Sequence, residues 1–152
     1  MEFTSHMDHA LWQARAAAGR GETPVGAVVV GPDGRVLAAD GNRVRELADP
    51  TAHAEMLAIR AAAATLGSER LTGCDLYVTL EPCPMCAGAI SLARIRRLYY
   101  GAEDPKTGGV AHGARVFGHR QCHHVPEVYD GIGAGEAGAL LRDFFATRRN
   151  GT

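Results

Sequence analysis

The sequence predicts an α/β fold, a sheet with helices on both faces. Three observations predict it. Short apolar runs rich in β-branched residues, such as Val25-Gly26-Ala27-Val28-Val29-Val30, alternate with alanine-rich segments whose apolar positions recur at helical spacing. The elements read in the order α-β-β-α-β-α-β-loop-β-α, and packing helices against both faces of a sheet buries the apolar side of each. Of the 152 residues 46% are hydrophobic, enough for one sizeable core, so residues 1–152 are read as a single domain.

The first helix is expected over residues 3–19. Phe3, Met7, Ala10, Leu11 and Ala14 fall on one face, and Gly19 and Gly21 stop it. Residues 25–30 form a buried strand. Pro32-Asp33-Gly34 is turn chemistry, and residues 36–39 return as the second strand of a hairpin. Asp49-Pro50-Thr51 reads as a helix start, with Asp49 or Thr51 capping and Pro50 in the first turn, for a helix over 53–66 that ends at Gly67. Strand three spans 75–80. Pro82 and Pro84 mark the passage from strand to helix, and a short alanine-rich helix follows over 84–93. Strand four covers 97–101, a loop 104–109, and a last strand 125–129. The final helix covers 134–149 with Leu140, Leu141, Phe144 and Phe145 turned inward. Residues 110–124 are Gly- and His-rich and resist assignment.

The totals exclude some classes. A net charge of −1 gives no overall nucleic-acid or membrane footprint, although a local basic face is compatible with a neutral sum. Four cysteines (Cys74, Cys83, Cys86, Cys122) without regular spacing do not make a disulfide scaffold. The first 21 residues lack a signal-peptide pattern, and no stretch approaches the roughly 20 apolar residues of a membrane span. A reducing cytoplasm is expected, with no membrane association.

Two stretches carry the chemistry: Pro50-Thr51-Ala52-His53-Ala54-Glu55 and Thr79-Leu80-Glu81-Pro82-Cys83-Pro84-Met85-Cys86. Cys83 and Cys86, spaced i,i+3, project from one face of a helix's first turn, where free N–H groups favour thiolate. Two thiolates neutralise a zinc(II) ion, His53 adds a neutral ligand, and a fourth position is left for water that ionises near pH 7. Glu55 stands two residues from the histidine, placed to move protons. A lone Cys-x-x-Cys is also compatible with half of a structural zinc site or a thiol–disulfide pair, and a lone His-x-Glu with an ordinary helix start. Cys122, His123 or His124 could instead close the site as a fourth ligand.

Taken together, His-x-Glu followed by Pro-Cys-x-x-Cys is the known signature of the zinc nucleobase deaminases. The chain resembles the bacterial tRNA-specific adenosine deaminases over nearly its whole length. The matching segments are Pro24 to Val28, Gly41-Asn42-Arg43, Asp49 to Glu55, Leu76 to Cys83, Gly101-Ala102 with Asp104 to Gly108, and Asp143-Phe144-Phe145. The first helix and residues 110–124 match least. The resemblance implies a cytidine-deaminase-like three-layer α/β/α sandwich with a central five-stranded mixed sheet and zinc between two helices. It also implies a homodimer whose partner helps shape the RNA site.

The implied reaction is adenosine to inosine at the wobble position of a tRNA anticodon, with the anticodon stem-loop as substrate. The implied ligands are His53, Cys83 and Cys86, and the implied proton shuttle is Glu55. By the same resemblance Asn42 contacts base and ribose, Val28 walls the base pocket, and Asp104 and Lys106 touch the backbone beside the flipped nucleotide. The end of the last helix, Arg148-Arg149 with Arg142 before it, lies near the anticodon stem. Residue by residue, plainer readings exist: a loop-capping Asn42, a core Val28, a solvated turn at Asp104 and Lys106, and arginines complementing a helix dipole.

The chain also departs from the pattern. His119 to His124 carries more histidine than the family, and His123 stands where an asparagine is usual, so a base contact by His123 or an adventitious metal site is suggested. Arg94, Arg96 and Arg97 form a further basic cluster. Two other functions share some of these features. One is deamination of a free base or nucleotide, such as guanine or a cytosine derivative. The other is a non-catalytic zinc-stabilised RNA-binding module, which would have no use for Glu55.

Overall fold

In the computed structural model the described residues are 2–150, with side chains through Arg148. The helices are α1 (His6–Gly19), α2 (Ala54–Leu66), α3 (Pro84–Leu92) and α4 (Ala134–Asn150). The strands are β1 (Gly26–Val30), β2 (Val36–Gly41), β3 (Asp75–Leu80), β4 (Arg97–Ala102) and β5 (Glu127–Tyr129), with a 3-10 turn at Val116–Gly118. One five-stranded sheet has the order β2-β1-β3-β4-β5. β1 pairs antiparallel with β2 and β3, while β3–β4 and β4–β5 are parallel, so the sheet is mixed as expected.

The period of two along β1 divides the core. Ala27 and Val29 face α2 and α3, where they meet Ala58, Ile59, Ala62, Leu76, Val78 and Ile90. Val28 and Val30 face the opposite layer, with Met7, Ala10 and Leu11 of α1 and Ala137 of α4. This gives three layers, α/β/α. Val28 is therefore a fully buried core residue on the face away from α2 and α3. That placement corrects its reading as a pocket wall: the strand alternation turns it toward α1. α1 crosses β1 so closely that a Cβ on Gly26 would overlap the Ala10 carbonyl.

Several boundaries move for local reasons. α1 starts at His6 because the Ser5 hydroxyl accepts the Asp8 N–H at 3.0 Å as an N-cap. Phe3 lies outside the helix and stacks on His9. β2 runs on to Gly41, which pairs with Gly26. Asp49 does not cap α2. Its carboxylate instead accepts from the Thr51 N–H and hydroxyl, forming a turn before the helix. On α4, Leu140 packs on the core but Phe145 is 45% exposed, so it is not an inward residue.

Candidate metal centre and cleft

His53 and Cys83 occupy the N-cap positions of α2 and α3. Both helices pack on the same face of the sheet, and their first turns meet there. His53 Nδ1 lies 3.6 Å from Cys83 Sγ and 3.5 Å from Cys86 Sγ. A tetrahedral zinc with bonds of about 2.3 Å to sulfur and about 2.05 Å to nitrogen requires an N···S separation of about 3.5 Å. The three donors thus fit zinc without rearrangement. They are a group able to hold a metal, and no second such group occurs among the described residues.

The titration of the triad follows from its contacts. A hydrogen bond from Cys86 is the main cause that brings the Cys83 thiol down to about 4. Cys86, as the donor in that bond and in a buried place, is pushed up. The hydrogen bond with Cys83 raises His53. Glu55, on the first turn of α2, is 4% exposed. Burial drives its carboxyl up to about 7, against its own backbone N–H and His53. A carboxyl that titrates near neutrality beside a three-donor metal site is equipped to take up and release a proton.

The cytidine and deoxycytidylate deaminase zinc-binding region matches residues 2–102. The chain belongs to the cytidine and deoxycytidylate deaminase family. The tRNA-specific adenosine deaminase of Agrobacterium fabrum is 59% identical over 148 residues, 97% of each chain. That of Aquifex aeolicus is 43% identical over 141 residues, 93% of this chain and 92% of its own. A chain solved in a study of A-to-I editing by tRNA:A34 deaminases at the wobble position superposes with a TM-score of 0.88 at 60% identity. The match covers 90% of this chain and 98% of that one. A guanine deaminase from Nitrosomonas europaea superposes at 0.76 with 28% identity, covering 93% and 83%.

Around the deaminase centre runs a cleft in two parts. Asn42, Thr23, Val44, Arg45 and His53 line the inner part with Phe144, Phe145 and Arg148. Thr23, Phe145 and Arg148 continue into an outer part walled by Leu80, Glu103, Asp104, Lys106 and Thr107. Asn42 is buried, and its Oδ1 accepts the Ala54 N–H at 2.7 Å. It therefore caps α2 from a distance and faces the cleft as well. The wall at Arg45 and Glu46 hangs on buried Glu22, whose carboxylate accepts both backbone N–H groups. Asp104 turns the opposite wall by accepting from the Lys106 and Thr107 amides. Arg148 donates to the Gly21 carbonyl at 2.9 Å and stands 4.3 Å over the Phe144 ring. The Arg149 side chain lies outside the described residues.

Thr23 takes the place beside Asn42 and His53 that the sequence reading gave to Val28. The signal available was the Thr23-Pro24 lead into β1, since the residue before a buried strand sits at its rim. Thr23, Phe144 and Phe145 are the cleft residues that reading missed.

The structure does not bring His123 to the deaminase centre. It is exposed and lines a separate depression along α3 with Ser91, Arg94 and Cys122. Its neighbours explain this. The Ser91 hydroxyl donates to the His124 carbonyl at 2.7 Å, and His124 Nε2 lies 2.6 Å from the Ile95 carbonyl. Cys122 Sγ sits 3.3 Å from the Ser91 hydroxyl. These bonds pin the segment beyond the end of α3 and remove Cys122 and His124 from the set of fourth ligands. The basic cluster is likewise engaged within the chain: Arg94 with the Ser91 carbonyl, Arg96 with Asp75 and Arg97 with Glu127.

Proposed function

We propose that this chain catalyses hydrolytic deamination of adenosine to inosine at the wobble position of a tRNA anticodon. The observation that carries it is the His53–Cys83–Cys86 triad with buried Glu55 beside it, its His53 lining the inner part of a two-part cleft. The full-length likeness to tRNA-specific adenosine deaminases directs the substrate.

Zinc held by the triad supplies an electrophilic centre that makes water a nucleophile at neutral pH. Glu55 takes one proton from the attacking water and delivers it to N1 of the purine as oxygen bonds to C6. It then carries the remaining hydroxyl proton to the 6-amino group, the C6–N6 bond breaks, and ammonia leaves. Both water protons are thereby accounted for, one on N1 of inosine and one on ammonia. Asn42 has its Oδ1 engaged by Ala54, so its amide N–H groups are the ones left to donate to base or ribose. Thr23 and Phe144 shape the inner part, while Asp104 and Lys106 on the outer wall meet the backbone of the flanking nucleotide. Arg148 stands where an anticodon stem would pass.

The anticodon stem-loop is the part of the tRNA we assign to the cleft, and a homodimer is the assembly. The outer face of α3 supports the latter, since Leu92 there is 77% exposed. Among the described residues no helix is long and apolar enough to cross a membrane, and all four cysteines are free. Both suit a cytoplasmic enzyme.

The test is a substrate panel on purified, zinc-loaded protein. An anticodon hairpin with wobble adenosine is compared with guanine, cytidine and deoxycytidylate, reading inosine by sequencing and ammonia by release. Inosine in the hairpin with inert small molecules is expected. Ammonia from guanine or a cytosine derivative with untouched RNA would move the chain to the free-base branch of the family.

A further inference from the structure

Among the buried carboxylates that the steps above leave unused, Glu81 stands next to the metal site. Glu81 follows β3, two residues before Cys83, and its side chain has no exposure, so it cannot touch a substrate. It nevertheless collects five hydrogen bonds from one loop. Oε2 accepts the successive N–H groups of Val110, Ala111 and His112 at 3.0–3.1 Å. Oε1 takes the Asp104 N–H at 3.1 Å and lies 2.8 Å from His112 Nδ1. The loop is fitted to the same turn by its backbone. The Gly109 N–H donates to the Pro82 carbonyl at 2.8 Å, and a Cβ on Gly108 would run into the Glu81 carboxylate. A Cβ on Gly109 would come within 2.5 Å of Pro84 N.

We propose that Glu81 is a positioning residue, which ties the Asp104–Thr107 wall of the cleft to the turn that bears Cys83 and so sets how tightly the RNA is held. The inference rests on the RNA reading for its substrate but not for its structural part. One anionic side chain holds both ends of the loop. Asp104, at the near end, starts the turn that carries Lys106 and Thr107. The amides of residues 110–112, at the far end, all donate to this carboxylate. A neutral side chain of the same shape cannot do both jobs, because a glutamine offers a single acceptor oxygen and an NH2 group that only donates. If the oxygen serves Val110 to His112, an N–H group faces the Asp104 N–H, and the near end is released.

The experiment compares wild type with Glu81→Gln by hydrogen exchange, zinc content and steady-state kinetics on the wobble-adenosine hairpin. Exchange of the loop amides, at 104–107 or 110–112, should accelerate about ten- to a hundred-fold, as expected for losing charge-assisted bonds. Amides of β3 and α3 should stay as in wild type, zinc should stay at the wild-type content, and KM should rise about ten-fold with kcat within about three-fold. Loss of zinc or of kcat with unchanged loop exchange would overturn the proposal and assign Glu81 to the ligand turn alone. Unchanged exchange and KM would overturn it too. His112→Ala, which removes one side-chain partner and leaves the carboxylate in place, serves if the glutamine variant does not fold. It should move exchange and KM the same way by less, and no change in either would be equally fatal. The exchange arm needs no RNA, so it decides the structural claim even if wild type proves inactive on the hairpin, an outcome that counts against the RNA reading instead.

Discussion

Asn42→Ala separates two tasks that the structure assigns to one side chain. Asn42 Oδ1 accepts the Ala54 N–H at 2.7 Å, and Asn42 is only 9% exposed. Deleting the oxygen leaves the first N–H of α2 unpaired in a place water reaches poorly. Loss of a capping side chain costs about 0.5–2 kcal/mol, and an unpaired buried donor about 1–3 kcal/mol, so about 1–2 kcal/mol is expected here. For a chain of this size that is a fall in Tm of about 2–8 °C. The assay is thermal and urea unfolding of zinc-loaded protein, paired with turnover. Asn42→Asp is the informative companion. It keeps an oxygen acceptor for Ala54 and adds a charge that suits a helix N-terminus, so its stability should stay near wild type. Its amide donors are gone, so turnover should still fall about ten-fold or more if they contact the substrate. An Asn42→Ala protein as stable as wild type would refute the capping argument. A fully active Asn42→Asp would refute the substrate contact.

Two further outcomes follow from the same structure. Burial raises Glu55 to about 7, so between its ordinary 4.5 and that value the folded chain holds a proton that the unfolded chain releases, and stability falls as pH rises through the window. In metal-stripped protein the stability gain of Glu55→Gln over wild type should therefore grow from pH 5 to about pH 8 in urea melts, and a gain that is flat or shrinks would refute the assignment; the lowered Cys83 works in the opposite direction but is present in both proteins. Arg94, just past α3, holds φ +63°, a left-handed conformation that favours glycine. Its side chain donates to the Ser91 carbonyl at a long 3.3 Å, so Arg94→Gly should raise Tm by about 2–4 °C, checked by calorimetry, and no gain would mean that the arginine contributes more than that bond.

What was legible in the sequence was whatever is encoded locally. The β-branched run before Pro32, the strand-to-helix passage at Pro82 to Pro84 and the Gly67 stop each appear within a residue or two of where the pattern puts them. The ligand triad was legible because its spacing is a local signature on two helix starts. What was not legible depends on partners far along the chain. Nothing near Ala54 says that Asn42 will cap it, twelve positions upstream. Nothing near Glu81 says that it will gather the amides of a segment some 30 residues on, and residues 110–112 read as formless because their anchor lies elsewhere. Val28 failed for a different reason. In a run of consecutive apolar residues the two faces of a strand look alike, so the pattern could not say which of Val28 and Val29 turns toward the metal layer.

The two metal-bearing helix starts share a further property. A helix N-terminus normally has its free N–H groups met by the side chain of its own N-cap residue. Here the N-cap residues are His53 and Cys83, and neither makes a side-chain capping bond. Their carbonyls still begin the helices, accepting from Leu57 and Ala87 at 3.0 and 2.9 Å, but their side chains are turned to each other. Each helix start has a substitute. For α2 it is Asn42, supplied from the end of β2. For α3 it is Pro84 in the first turn, which has no N–H to satisfy. The capping function has moved off the helix so that the capping position can hold a metal ligand. This explains why Asn42 sits in the cleft at all: a remote cap must approach the helix end from the side where the ligands also point. It follows that the cleft's polarity near His53 is first a consequence of folding α2, and that any substrate contact by Asn42 uses the half of the amide that the helix leaves over.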